Sequence, residues 1–361
     1  LRAAAAAGYE TVAAAAAAAT NGGSAAPVVY RLPAGVTPVS YELRVDTDLD
    51  RLSYSGSVQI AVVSTVTPKL CRIVLNAKDV RVTAVRVTDV GTGAPLTVGG
   101  WRLADGDEQL IVTVDGHRCL IPARRYAVDV DFQAPLRGDM SGYYRSSYIE
   151  GDVTKWLAVT KFEPTHARKA FPCFDEPALK APFTVFIKRR SDQISLSNMP
   201  LINSTKIQNT DMYWDQYMET PPISTYLVAF FVGEFYAMKT RNIGIYTHRH
   251  YVKQAEYIAD KSPKLLEAME KFTGIDYMLP KLDLLAIPDF AAGAMENWGL
   301  NTYRERLLLL SEDSKTKIKE FVTTVVQHEL SHQWFGDLVT CAWWDYLWLN
   351  EGFATFFEYL A

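Results

Sequence analysis

Residues 328–351 read HELSHQWFGDLVTCAWWDYLWLNE, and what surrounds them follows from what this stretch can do. His328 and His332 are four positions apart, with Glu329 directly after the first. They fall in a segment, 319–335, whose residues Phe321, Val322, Val325, Val326 and Leu330 repeat with a helical period. Four residues is about one helical turn, so both imidazoles project from one face. There two neutral ring nitrogens can meet one zinc ion, while the carboxylate of Glu329 points into the same cleft without ligating. The third candidate ligand is Glu351, separated from His332 by eighteen residues, on an apolar segment that restarts after Gly336. Two histidines and a glutamate leave one tetrahedral position open for water, the ligand count of a catalytic site. The competing reading, a buried helix with histidines satisfied in the core, does not account for Glu351.

A chain of 361 residues with 48% apolar residues can bury a sizeable core and divides most naturally into two domains. Its net charge of -4 exerts no general pull toward nucleic acid or an anionic membrane. The cluster Lys188, Arg189, Arg190 reads as a solvated face, and residues 226–232 are too short an apolar run to span a bilayer. Four cysteines, Cys71, Cys119, Cys173 and Cys341, are too scattered for a disulfide scaffold. Cys71 and Cys119 fall in strand-like segments and could be bridged, but four cysteines allow three connectivities. Asn203-Ser204-Thr205 is a sequon, used only if the chain is secreted.

Residues 1–26 are dominated by alanine and are expected to be a tail or a marginal peripheral helix. From 27 to 222 short alternating runs rich in Val, Thr and Ile, separated by Gly, Asp and Pro clusters, predict a β-rich domain. Within it lie Lys161-Phe162-Glu163-Pro164 and Phe171-Pro172-Cys173-Phe174-Asp175-Glu176-Pro177, whose three prolines predict a fixed irregular path, read as an aromatic-packed structural loop. From 223 to 361 the texture is mixed: strands at 224–231, 243–247, 281–287 and 300–310, a helix at 252–272, and then the histidine-bearing helix, together an α/β domain. His248 and His250 would share a strand face and read as a surface pair. Glu296 stands among Ala, Met, Phe and Trp; a buried carboxylate needs a cationic or donor partner, either a structural arginine or a substrate ammonium.

Gly293-Ala294-Met295-Glu296-Asn297, ahead of His328-Glu329-Leu330-Ser331-His332 and Glu351, resembles the zinc aminopeptidase family (gluzincins) typified by aminopeptidase N. The likeness runs from about residue 30, with Tyr30-Arg31-Leu32-Pro33, to 361. It implies a saddle-like β-sandwich domain followed by a thermolysin-like zinc catalytic domain, incomplete in this chain because the family's oxyanion tyrosine lies well beyond the last ligand and Tyr359 is too near Glu351 to be it. It implies one zinc per chain on His328, His332 and Glu351, Glu329 as general base, and a substrate site built from Glu163, Gly293, Ala294, Met295, Glu296 and Asn297. In it Glu163 and Glu296 hold the free α-amino group of a peptide. A relative that opens an epoxide fatty acid shares the fold, but Ala294 matches the peptidase members. Ala292 hints at neutral first residues. The family's cell-surface members point to an extracellular, membrane-anchored protein, with a cytoplasmic location as the alternative. Membrane attachment would come only through segments absent from this chain, and a homodimer is possible. The alternative function is a surface binding protein or receptor that keeps the fold with little turnover.

Overall fold

The computed structural model describes residues 31–65, 70–115 and 119–360; the alanine-rich segment 1–26 lies outside them. The first part is built on an eight-stranded sheet. Its strands run in the order Leu201–Lys206, Met212–Tyr217, Phe183–Arg190, Val36–Asp48, Ser53–Ser64, Arg125–Pro135, Arg81–Asp89 and Pro95–Leu96. Alternation explains its inner face: Tyr41, Leu43 and Val45, then Val58, Ile60 and Val62, then Val128, Val130 and Phe132 are buried while the residues between them are not. Val36–Asp48 pairs antiparallel with Ser53–Ser64 and parallel with Phe183–Arg190, so a long crossover separates two adjacent strands.

Two smaller sheets accompany it. Arg72–Asn76, Gln109–Val114 and Val98–Ala104 form a three-stranded one. A disulfide between Cys71 and Cys119 ties its flanks, while Cys173 and Cys341 are free and buried. A four-stranded sheet runs Ile194–Ser197, Phe230–Gly233, Val153–Lys161, Gly142–Glu150. Composition puts the domain boundary at 222, whereas strand pairing puts it after Gly233, because Val232 pairs with Ala158 and Ser195. We propose that the second domain begins between 223 and 234.

The second part centres on a mixed five-stranded sheet in the order Tyr236–Thr240, Ile243–Thr247, Leu282–Ile287, Leu300–Arg304, Ala294–Met295. Every residue of Leu282–Ile287 is buried, as a central parallel strand requires. Helices α1 (Glu256–Thr273), α2 (Thr316–His332) and α3 (Trp348–Phe357) complete it. In α2 the buried stripe is Val322, Val326, Leu330, four apart, while Phe321 is exposed. None of the helices among the described residues is long and apolar enough to cross a membrane.

Three sequence readings shift. The strand expected over 300–310 ends at Arg304, whose guanidinium is turned back to the carbonyls of Phe290, Ala291 and Ala292. The strand expected over 224–231 is a single 3-10 turn, Thr225–Leu227, followed by Phe230–Gly233. The helix expected over 252–272 is preceded by a 3-10 segment, Arg249–Ala255.

Candidate metal and amine site

Helix α2 starts three residues before the predicted 319 and ends at His332. Gly336, with φ +145°, closes the loop that follows, and its amide donates to the carbonyl of Val339 at 2.8 Å. A Cβ there would stand 3.2 Å from His332 Nδ1, so conformation and space both call for glycine. The loop leads into α3, which carries Glu351 in its first turn.

The three candidate ligands converge. His328 Nε2 lies 3.1 Å from His332 Nε2 and 3.4 Å from Glu351 Oε2, and His332 Nε2 lies 3.8 Å from the same oxygen. Ligand atoms about 2.0–2.1 Å from a tetrahedral zinc would be about 3.3 Å apart. The ring nitrogens facing away are occupied: His328 Nδ1 is 2.7 Å from Glu358 Oε2 and His332 Nδ1 is 3.0 Å from the carbonyl of Phe335. Both partners are acceptors, so in the neutral form of each ring the proton sits on Nδ1 and Nε2 is the nitrogen left for a cation. Three electron-pair donors then point at one space, which is how a cation is held. The donor set and its spacing fit zinc.

The second group is acidic. Glu163 follows Val153–Lys161, and Glu296 follows the edge strand Ala294–Met295. Each offers a carboxylate oxygen, and with Glu351 these three atoms lie within 4.8 Å of one another. The chain thus brings together residues 133 positions apart in sequence, 163 and 296. Glu296 is 4% exposed, and its Oε1 has no hydrogen-bond partner among the described residues and sits 3.9 Å from His332 Nδ1. Among the described residues no arginine pairs with Glu296, and Arg304 spends its donors on carbonyls. Glu163 is engaged by Lys161, whose Nζ is 2.8 Å from its Oε2 and 3.0 Å from Met295 Sδ.

Burial pushes Glu296 up to about 6; His332 pulls it down and the charges of Glu163 and Glu351 add to the rise. Burial likewise lifts Glu329 well above the usual carboxylate range, against the pull of His328, with Glu296 and Glu351 adding to it. Glu351 goes the other way: burial would raise it, but the hydrogen bond from His328 and the charges of both histidines hold it at about 2. One Glu329 oxygen, Oε2, is buried without a hydrogen-bond partner among the described residues.

The remaining motif residues divide. Ala294 and Met295 pair with Tyr303 and Thr302 and form the outermost strand of their sheet, with one backbone edge unpaired among the described residues. Gly293 is exposed, and its carbonyl accepts from the Arg304 amide at 3.0 Å. Asn297 is turned into its own loop, donating to the carbonyl of Leu300 at 3.2 Å and to Thr302 Oγ1 at 3.3 Å, so its side chain shapes the turn.

Two residues escaped the sequence reading. Gln333 donates through Nε2 to the Glu296 carbonyl at 3.1 Å and to Asn301 Oδ1 at 3.0 Å, and accepts through Oε1 from Tyr277 and the Gly299 amide. It pins the acidic loop to the end of α2. Glu358 orients His328. Only their nearness to the motif marked them, because a polar residue in a helical segment looks the same whether it faces water or a ligand.

His248 and His250 are not on a strand, which ends at Thr247. His248 is buried, stacked 4.7 Å from Tyr148 with Nε2 3.3 Å from Glu305 Oε1, while His250 is exposed beside Glu150 at 3.7 Å. They belong to no three-residue metal group among the described residues. The basic cluster is consumed by sheet ion pairs: Lys188 with Asp46, Arg189 with Asp215, Arg190 with Asp50.

Residues 37–227 match the peptidase M1 N-terminal domain and residues 257–361 match the peptidase family M1 domain. The chain belongs to the peptidase M1 family. It is 40% identical over 349 residues to endoplasmic reticulum aminopeptidase 2 of Bos taurus, covering 92% of this chain and 35% of that protein. Glutamyl aminopeptidase of Bos taurus is 41% identical over 343 residues, with 92% and 35% covered. Endoplasmic reticulum aminopeptidase 1 of Homo sapiens is 39% identical over 339 residues, with 92% and 36% covered. The chain thus spans about a third of the length of these curated relatives.

Proposed function

We propose that this chain carries the metal and amine-binding part of a zinc aminopeptidase that removes the first residue from peptides. The observation that carries the reading is the unpartnered Oε1 of buried Glu296, next to Glu163 and beside a cluster of three converging metal donors. His328, His332 and Glu351 would hold one zinc ion. Bound there, zinc would supply a water with a pKa near 7 and would polarise the scissile carbonyl. Glu329, buried directly after His328 on the same helix, would take a proton from the attacking water and pass it to the leaving nitrogen. A peptide α-ammonium, with a pKa of about 7.7–8.0, is mostly charged at neutral pH. A carboxylate 4 Å from it attracts it by about 4 kcal/mol at an effective dielectric of 20, before desolvation. Glu163 and Glu296, fixed beside the metal ligands, would place the first peptide bond and no other over them. The free edge of Ala294–Met295, with Gly293 before it, can align the peptide backbone as an added strand.

The first residue is proposed to be neutral, as Ala292 suggests. Lys161 favours a second reading: its ammonium, 2.8 Å from Glu163, would complement an acidic first side chain, and one relative is named a glutamyl aminopeptidase. Family resemblance supports a cell-surface location, and the disulfide fits an oxidising compartment. The alternative, a surface receptor with little turnover, would be expected to have lost part of this donor set, which is intact here. Metal content and hydrolysis of alanyl and glutamyl anilides by the full-length natural protein test the reading. Stoichiometric zinc with no anilide hydrolysis would favour the receptor, and the ratio of the two rates decides between neutral and acidic first residues.

A further inference from the structure

The single sequon in the chain, Asn203-Ser204-Thr205, plays no part in the peptidase site. It lies in the strand Leu201–Lys206, all of whose residues are exposed. Among the described residues that strand is the outer edge of the eight-stranded sheet and is bonded on one side only, to Met212–Tyr217. Its alternation sorts the three residues. Ser204 turns toward the sheet, where its hydroxyl donates to Asp215, a buried carboxylate also held by Arg189 and Ser195. Asn203 and Thr205 share the opposite face, where Asn203 Nδ2 donates to Thr205 Oγ1 at 3.1 Å. The acceptor amide and the hydroxyl of the sequon are therefore on one open surface, while the middle residue anchors the strand.

Two further observations bear on it. The Cys71–Cys119 disulfide closes a separation of 48 residues, and such bonds persist in the oxidising compartments of the secretory route, where sequons are read. Leu201 and Ile202, 48% and 53% exposed, sit beside the sequon on an edge with unpaired backbone groups. An exposed apolar edge is a template for pairing with another chain unless something covers it.

We propose that Asn203 carries an N-linked glycan, acquired in an oxidising secretory compartment, and that this glycan covers the free edge of the eight-stranded sheet. In the transfer, the Asn203 amide nitrogen bonds to the anomeric carbon of an oligosaccharide donated from a lipid diphosphate. The bond from that carbon to the diphosphate oxygen breaks, the lipid diphosphate leaves with the electron pair, and the amide loses one proton. No oxidant or reductant is needed.

The test uses the full-length natural protein secreted from eukaryotic cells, digested and weighed by mass spectrometry before and after enzymatic removal of N-glycans. The peptide containing Asn203 should carry sugar mass, and glycan removal should leave aspartate at that position. Asn203→Gln and Thr205→Ala should abolish the modification, Ser204→Ala should keep it, and the two unglycosylated proteins should self-associate more by light scattering. An unmodified Asn203 in secreted protein with Cys71 and Cys119 joined overturns the proposal. So does protein isolated only from the cytosol with both cysteines as thiols. Unchanged self-association of glycan-free protein overturns the edge-covering role.

Discussion

Asp175 and Glu296 look alike in sequence, each an acid among aromatic and small apolar neighbours, and both are buried, at 1% and 4% exposed. The fold treats them in opposite ways. Asp175 Oδ2 accepts from Arg168 Nε at 2.9 Å, and its Oδ1 accepts from Thr225 Oγ1 at 2.8 Å. Its backbone amide donates to Asn76 Oδ1 at 3.1 Å. Arg168 in turn reaches Glu108 at 3.1 Å. Glu296 has no such shell; one oxygen is unpartnered and the nearest titratable groups are mostly other acids. A buried charge is tolerated when paired, and an unpaired one is costly enough that its presence calls for a ligand. The first cluster is structural, and for the second we propose the ammonium group of a peptide as its partner.

The largest expected effect separates proton transfer from metal binding. Glu329→Gln should leave zinc bound at one per chain in elemental analysis while turnover falls by about 10²- to 10⁴-fold. If the variant loses its zinc, Glu329 is a ligand and the role assignment fails. Next, Asp175→Ala should cost about 3–5 kcal/mol in urea unfolding, because Arg168 would be left in a buried site without its main partner. A loss below about 1 kcal/mol would erase the contrast with Glu296. For Glu296→Ala the pattern reverses: stability should hold or rise. The kcat/KM for free-amine peptides should drop by up to about 4 kcal/mol, or nearly a thousandfold, with acetylated peptides poor throughout. Equal cleavage of free and acetylated peptides by the unaltered protein would sink the amine-anchor reading. The smallest effect concerns Glu358→Ala, which should weaken zinc binding by about 10- to 100-fold in competition with a chelator. No change there would mean that His328 is oriented by other contacts.

Much of the site was legible before the fold. The helical spacing of His328 and His332, the carboxylate between them and the restart of apolar pattern before Glu351 are local, and local periodicity sets which face a side chain takes. Alternation in 27–222 likewise marked the β-rich domain, since a half-buried strand writes its two faces into the order of residues. Misreadings fell where tertiary contacts override local pattern. The run after Leu300 is apolar enough for a long strand, but Arg304 is drawn to three carbonyls of the preceding loop and the strand stops. His248 reads as a surface residue until Tyr148, a hundred positions earlier, stacks on it.

Sequence alone therefore picked out the three side chains that α2 and α3 bring together, the β-rich first domain and, through its two ordered motifs, the family resemblance. Only the tertiary structure decided which charges meet. Glu163 reaches Glu296 because the strand Val153–Lys161 ends against the edge strand Ala294–Met295, where Lys161 touches Met295. Tyr144 and Ser146, on the strand beside it, hold Asp289 at the start of the acidic loop. Gln333 fastens that loop to α2, and Cys71 takes Cys119 out of three arithmetical choices. Helical and strand periods are set by neighbours a few bonds away. A carboxylate's partner, and hence whether it is structural or waiting for a ligand, is set by packing between segments that the order of residues leaves far apart.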